Sequence, residues 1–163
     1  MKNRAKYPIL ISILGIFFGF LLVGYIIGFQ SEKPSLNMKN IYNYNMLNTF
    51  IIIIIKNTFA YFLLLSTIIF GKKIAYFFFG VNGYIIGLTI AKFNSLKLAL
   101  TTILPHGIFE MGFFIFTGYF LINYINRNSA NLKKYIVLSY FGILASAIIE
   151  STITPKLIIL ILQ

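Results

Sequence analysis

His106 and Glu110 stand four residues apart in the run Leu104, Pro105, His106, Gly107, Ile108, Phe109, Glu110, and a second glutamate, Glu150, falls inside another apolar stretch. Residues four apart share a helix face, so His106 and Glu110 are expected to point the same way. One histidine and two carboxylates can ligate zinc while leaving a position open for water, and a zinc-bound water is acidic enough to permit hydrolysis near neutral pH. The metal candidates are therefore His106, Glu110 and Glu150. No His-Glu-x-x-His pattern supports them, so zinc rests on residue types alone. The same three residues form a catalytic candidate set, an ion or proton path, or a buried polar cluster that only pins helix packing; no single catalytic residue stands out.

What surrounds these residues is lipid-like. The chain has 163 residues, of which 59% are apolar or aromatic and only 10% charged, and its mean hydropathy is +0.88. Globular domains in water carry about a quarter charged residues. The formal charge of +11 arises from three acidic against fourteen basic residues, and the basic ones fall in ones and twos between apolar runs. Nucleic-acid binding calls for Lys and Arg clustered on a solvated face, so no nucleic-acid partner is expected. Cysteine is absent, which excludes disulfides, thiolate metal sites and a cysteine nucleophile.

The elements that must position the candidates are membrane-spanning helices. A span needs about 20 mostly apolar residues, and five such stretches fit within one integral membrane domain covering 1–163. They lie at about 7–29, 47–70, 74–91, 98–124 and 135–154. The first is too long for a signal-peptide core and is read as an uncleaved helix. The polar stretch Gln30 to Met46, with Glu32, Lys33, Pro34 and Lys39, is read as a loop that could include an interfacial helix. Lys56 is costly at mid-bilayer and is placed near an interface. Helix breaks are expected at Pro105 and Gly107, at Gly83 within the run Gly80, Val81, Asn82, Gly83, and at Pro155. The fold class is thus an all-α membrane protein, a bundle of about five transmembrane helices with a kinked or broken fourth helix. No internal repeat is evident, which speaks against an inverted-repeat transporter.

Depth along the spans decides which residues can meet. At 1.5 Å per residue, Glu150 lies roughly 22 Å from the inner start of the fifth span and His106 roughly 13 Å from the outer turn at Lys97. In a hydrocarbon core about 30 Å thick both fall in the outer half. Buried ionisable groups in membranes pair with one another, so His106, Glu110 and Glu150 are expected to converge, with Asn82 able to hydrogen-bond across to them. Cytoplasmic segments are enriched in Lys and Arg. Lys2, Arg4, Lys6, Lys72, Lys73, Arg127, Lys133 and Lys134 fall on one side, and Lys33, Lys39, Lys56, Lys92, Lys97 and Lys156 on the other. This favours a multi-pass cell-membrane protein with a cytoplasmic N-terminus and the C-terminus outside.

The run from Pro105 to Glu110 resembles the proline-histidine-glycine-x-phenylalanine-glutamate signature of the stage II sporulation protein M family. Asn57, the pair Asn82 and Gly83 followed by Gly87, and the ending Glu150, Ser151, Thr152, Ile153, Thr154, Pro155 are similar to further family elements in the same order. The resemblance covers roughly Asn57 to Pro155. It implies a five-helix membrane protein with no established enzymatic activity, in a family that includes a sporulation engulfment component and relatives in circular bacteriocin gene clusters. The chain is short for the sporulation type and keeps the His and Glu pattern intact, which leans toward the bacteriocin-type relatives. The resemblance implies a role in maturation or export of a circular bacteriocin. The alternatives are a scaffold of an engulfment complex and a metal-dependent intramembrane peptide-processing enzyme. Expected partners are the lipid bilayer, other membrane proteins or an ATPase subunit, and a hydrophobic peptide.

Overall fold

A computed structural model of the chain describes residues 7–30, 45–93, 96–127 and 131–162. The helices are α1 (Tyr7–Phe29), α2 (Met46–Leu65), α3 (Thr67–Phe70), α4 (Lys72–Lys92), α5 (Leu96–Arg127), α6 (Leu132–Thr152) and α7 (Thr154–Leu162). No strand occurs among the described residues. Five helical stretches are long and apolar enough to cross a membrane: Pro8–Phe29, Met46–Phe70, Lys72–Lys92, Gly107–Asn126 and Leu132–Leu157. Most of their outward surface is bare hydrocarbon, including Phe59 at 74% and Ile69 at 78% exposure, as a lipid-facing surface demands. The chain is a multi-pass membrane protein.

Local chemistry explains the element ends. The Asn45 side chain accepts from the Asn48 backbone N–H at 3.2 Å and starts α2. Gly71 sits at φ 84°, a left-handed conformation that only glycine adopts cheaply, and turns the chain from α3 into α4. The long helix α5 runs for 32 residues through Pro105; it is kinked, not broken. Proline removes one ladder hydrogen bond and crowds the preceding turn.

Gly83 does not break its helix, contrary to the sequence expectation, because α4 continues from Lys72 to Lys92 without interruption. Gly107 likewise lies inside α5. The fifth helix does change at Ile153, just before Pro155, where α6 gives way to α7. The expected loop and interfacial helix between Gln30 and Met46 fall almost entirely outside the described residues.

The most extensive interface joins α1 to α4, and at it lies a pentapeptide that the chain carries twice, so the expectation of no internal repeat holds only beyond this short run. Gly24-Tyr25-Ile26-Ile27-Gly28 and Gly83-Tyr84-Ile85-Ile86-Gly87 are identical, and both place glycines four apart, the spacing that lets membrane helices approach closely. A Cβ on Gly24 would strike the Tyr84 carbonyl, one on Gly83 the Phe17 carbonyl, and one on Gly87 the Leu21 carbonyl. The rising pairs Phe17 with Gly83 and Leu21 with Gly87 make the two helices parallel, as the first and third of five spans must be. Glycine also seats two aromatic rings elsewhere: Phe79 covers Gly118 of α5, and Phe113 covers Gly142 of α6.

The core assembles around Phe78, Phe79 and Phe114, with Ile13, Tyr61, Leu64, Leu121, Ile122 and Ile143. Phe78 and Phe114 meet edge to face at 5.1 Å, a favoured arrangement of ring quadrupoles. On the other side, the Tyr61 hydroxyl donates to the Ile136 carbonyl at 2.6 Å and lies 3.0 Å from Ser139 Oγ, while Thr58 Oγ1 lies 3.2 Å from the Tyr140 hydroxyl. These bonds fix α2 against α6 in antiparallel register.

Candidate functional site

Glu110 follows the inward face of α5 by helical period. Phe114, Thr117 and Leu121, four, seven and eleven residues on, are all buried, and this 3.6-residue period carries Glu110 to the same side. On α2 the inward stripe is Ile53, Asn57, Tyr61 and Leu64. On α6 it runs Ser139, Ile143, Ser146 and Ala147, and Glu150 lies one turn beyond Ser146. The serines and threonines on these stripes close hydrogen bonds on their own helices: Ser146 to Ile143 O at 2.7 Å and Thr117 to Phe113 O at 2.8 Å. Self-satisfied hydroxyls of this kind allow close packing without requiring a partner.

Where α2, α5 and α6 meet, Asn57 lies beside the Glu110 carboxylate, and the charges of Glu110 and Glu150 reach one another. Asn57 is only 8% exposed, yet its Nδ2 completes no hydrogen bond among the described residues. Thr154, one turn past Glu150, is 5% exposed and its Oγ1 is also without a partner among them. An unmet buried polar group costs about 1–3 kcal/mol. Asn57 beside the Glu110 carboxylate, with Glu150 in reach, makes a polar junction that can take a water, a cation or a polar group of a ligand.

Of the residues expected to cluster, some lie among the described residues and others outside them. Glu110 and Glu150 share the junction. Asn82 lies level with Glu110, because Phe78 and Phe114, one turn away on each antiparallel helix, are in ring contact. Its Nδ2 donates one hydrogen bond to the Phe78 carbonyl of its own helix at 2.8 Å. The backbone of His106 lies one turn before Glu110 in α5, and its side chain, with that of Pro105, lies outside the described residues. Among the described residues no three His, Asp or Glu side chains form a group able to hold a metal ion.

Asn57 is the member that spacing alone left unassigned to the cluster, although a lone amide recurring with Ile53, Tyr61 and Leu64 is the signal that points to it. Lys56, expected near an interface, is instead far inside. The contacts of Thr58 with Tyr140 and of Tyr61 with Ser139 set it level with the residues just after Tyr140 on α6, and within the span Met46–Phe70 it lies about 15 Å from one end and about 21 Å from the other at 1.5 Å per residue.

A second feature lies on a different face of α5. Phe17, Phe18 and Leu21 of α1, Ile86 and Ile90 of α4, and Ile103, Gly107, Met111, Gly112 and Ile115 of α5 line an apolar groove of about 410 Å³. Glu110 is not among its walls; the carboxylate points to Asn57 instead. Groove and polar junction share one helix but not one chamber.

No curated protein and no solved structure matches the chain. The family described as Stage II sporulation protein M matches residues 8–155, the whole of the five-span bundle apart from the chain ends. With its kinked α5 carrying the Pro105 to Glu110 motif, this chain belongs to the stage II sporulation protein M family.

Proposed function

We propose that the protein is a membrane component for maturation or export of a circular bacteriocin, acting on an apolar peptide without itself cleaving or joining it. The observation that carries this reading is the lateral groove of about 410 Å³ between α1, α4 and α5, walled by apolar side chains. Ligand sites are concave and mostly apolar, and the walls of this one suit an apolar peptide. Its separation from Glu110 favours holding or passing a peptide over intramembrane hydrolysis, which needs the acid within hydrogen-bond reach of the reacting group. Energy for export would come from a partner ATPase subunit.

The test uses Gly112→Leu, because a Cβ at Gly112 meets nothing within 4 Å and the added side chain fills the groove without a backbone clash. Displacing two or three methylenes of bound peptide should lower mature-peptide yield in a producing cell by about tenfold or more, with normal amounts of folded protein in the membrane. Undiminished yield from that variant would defeat the proposal. Glu110→Gln separates the processing reading: if that variant folds, accumulates unprocessed precursor and gives no mature peptide, the polar junction is catalytic and zinc at His106, Glu110 and Glu150 becomes the reading to pursue.

A further inference from the structure

The first turn of α6 carries Lys133 and Lys134, both exposed, where the span Leu132–Leu157 begins. Cations at a helix N-terminus oppose the macrodipole, and that turn holds no acidic residue and receives no side-chain cap from Asn131. An anion set against the turn relieves both the lysine pair and the helix end. Further along, the same face turns apolar. Val137, Leu138 and Phe141 follow Lys134 at three, four and seven residues, the spacing of one helical stripe, and all three are exposed. The two lysines and these apolar side chains line one concave surface.

That surface continues toward the middle of the bilayer. Leu138 is also the α6 wall of an apolar groove of about 290 Å³, whose α5 side includes Phe109, Phe113 and Phe116. At the lysine end the two helices are joined by rings, with Phe116 and Phe120 packed on Tyr135 at 5.8 and 3.8 Å. Phe113 lies over Gly142, eight residues past Lys134 and so about 12 Å deeper. One leaflet of hydrocarbon is about 15 Å thick. A basic end at headgroup level, leading into an apolar groove of nearly one leaflet's depth, matches the two ends of a single phospholipid.

We propose that Lys133 and Lys134, with the groove between α5 and α6 that runs inward past Leu138, hold an anionic glycerophospholipid, its phosphate against the lysine pair and one acyl chain in the groove. Basic pockets at the ends of transmembrane helices take anionic headgroups. A zwitterionic lipid brings a cation of its own to the lysines and gains less. The site lies on the α6 side of α5, whereas the groove assigned to the peptide lies between α5, α1 and α4. The two share Ile108 and Gly112 as walls, but the lysines belong to the lipid site alone, and the lipid assignment does not depend on the peptide reading.

The chain has no tryptophan, so Phe141→Trp sets a single fluorescent reporter on the stripe. The protein is reconstituted in phosphatidylcholine vesicles that contain brominated phosphatidylglycerol or, in equal amount, brominated phosphatidylcholine, and quenching measures how often each lipid occupies the site. Phe77→Trp is the control, because Phe77 is exposed four residues past Lys73 at the same end of the bundle, beside an apolar groove with no lysine in its walls. The reporter at position 141 should favour phosphatidylglycerol about fivefold or more, and the control clearly less. Lys133→Gln combined with Lys134→Gln should bring the ratio at position 141 down to that of the control, and 1 M salt should lower it without any substitution. Equal quenching by the two lipids at position 141 would overturn the proposal, as would a preference that survives loss of both lysines. A preference equally strong at the control would assign the effect to diffuse surface charge, and quenching by neither lipid would mean that protein covers the groove; either result overturns the lipid site.

Discussion

A hydroxyl in the interior of a membrane bundle is held by geometry that can be removed one atom at a time. Tyr61 bonds the Ile136 carbonyl and Ser139 across the α2–α6 contact, so Tyr61→Phe should destabilise the protein by about 0.6–1.7 kcal/mol, the range for side-chain hydrogen bonds between membrane helices, in reversible denaturant unfolding in micelles. The junction of Asn57 with Glu110 invites a double-mutant cycle with Asn57→Leu and Glu110→Gln. Neighbours in one polar network couple by about 0.5–3 kcal/mol; strictly additive effects would show that the two side chains do not sense each other. The importance of Glu110 and Glu150 was legible in the sequence, since a carboxylate amid apolar residues is costly and therefore conspicuous. The partnership with Asn57 was not, because it links positions far apart in the chain and depends on which helices touch. Asn82 shows a related point: an amide can place one donor on the preceding turn, as Asn82 does on the Phe78 carbonyl, and spacing does not reveal that choice.

Helices here are told apart by their small residues more than by their large ones. In a chain this apolar the hydrophobic stripe loses its meaning, because lipid and core accept the same side chains, so the five spans could be read while their neighbours could not. The run Gly80, Val81, Asn82, Gly83 resembled an interruption because glycine weakens helices in water by about 1 kcal/mol. Within α4 it is a contact surface instead, with Gly83 and Gly87 under the backbone of α1. The seam predicts a contrast. Gly87→Ala places a Cβ against the Leu21 carbonyl and the Tyr25 amide, neither of which can rotate away, and overpacking of that kind costs about 1–3 kcal/mol or more. Gly15 and Gly19 meet nothing within 4 Å, so alanine at either should be neutral or stabilising by up to about 1 kcal/mol through helix propensity. Unfolding midpoints of the four proteins, wild type included, measure both halves; equal losses at Gly15 and Gly87 would remove the seam from the account.

At the scale of the whole molecule, five crossings would put the two ends of the chain on opposite sides of the membrane, and the basic residues flanking the spans bear on which end is where. Lys2, Arg4, Lys6, Lys72, Lys73, Arg127, Lys133 and Lys134 flank one set of span ends. Lys56 had been counted with the opposite set, but its depth on α2, fixed by the contacts of Thr58 and Tyr61 with α6, withdraws it. That leaves Lys33, Lys39, Lys92, Lys97 and Lys156. Orientation follows basic residues near the span ends, not those within the hydrocarbon, so a cytoplasmic N-terminus is the prediction to test. Reporter fusions should accordingly show the N-terminus and the Gly71 turn inside and the C-terminus outside. Removing Lys72 and Lys73 together, both exposed at the start of α4, should weaken that preference and yield a mixed population, because the turn between the second and third spans is short enough for its charges to count. If both termini report the same compartment, one of the five stretches does not cross; if the termini are reversed and indifferent to Lys72 and Lys73, the basic residues do not set the orientation of this bundle.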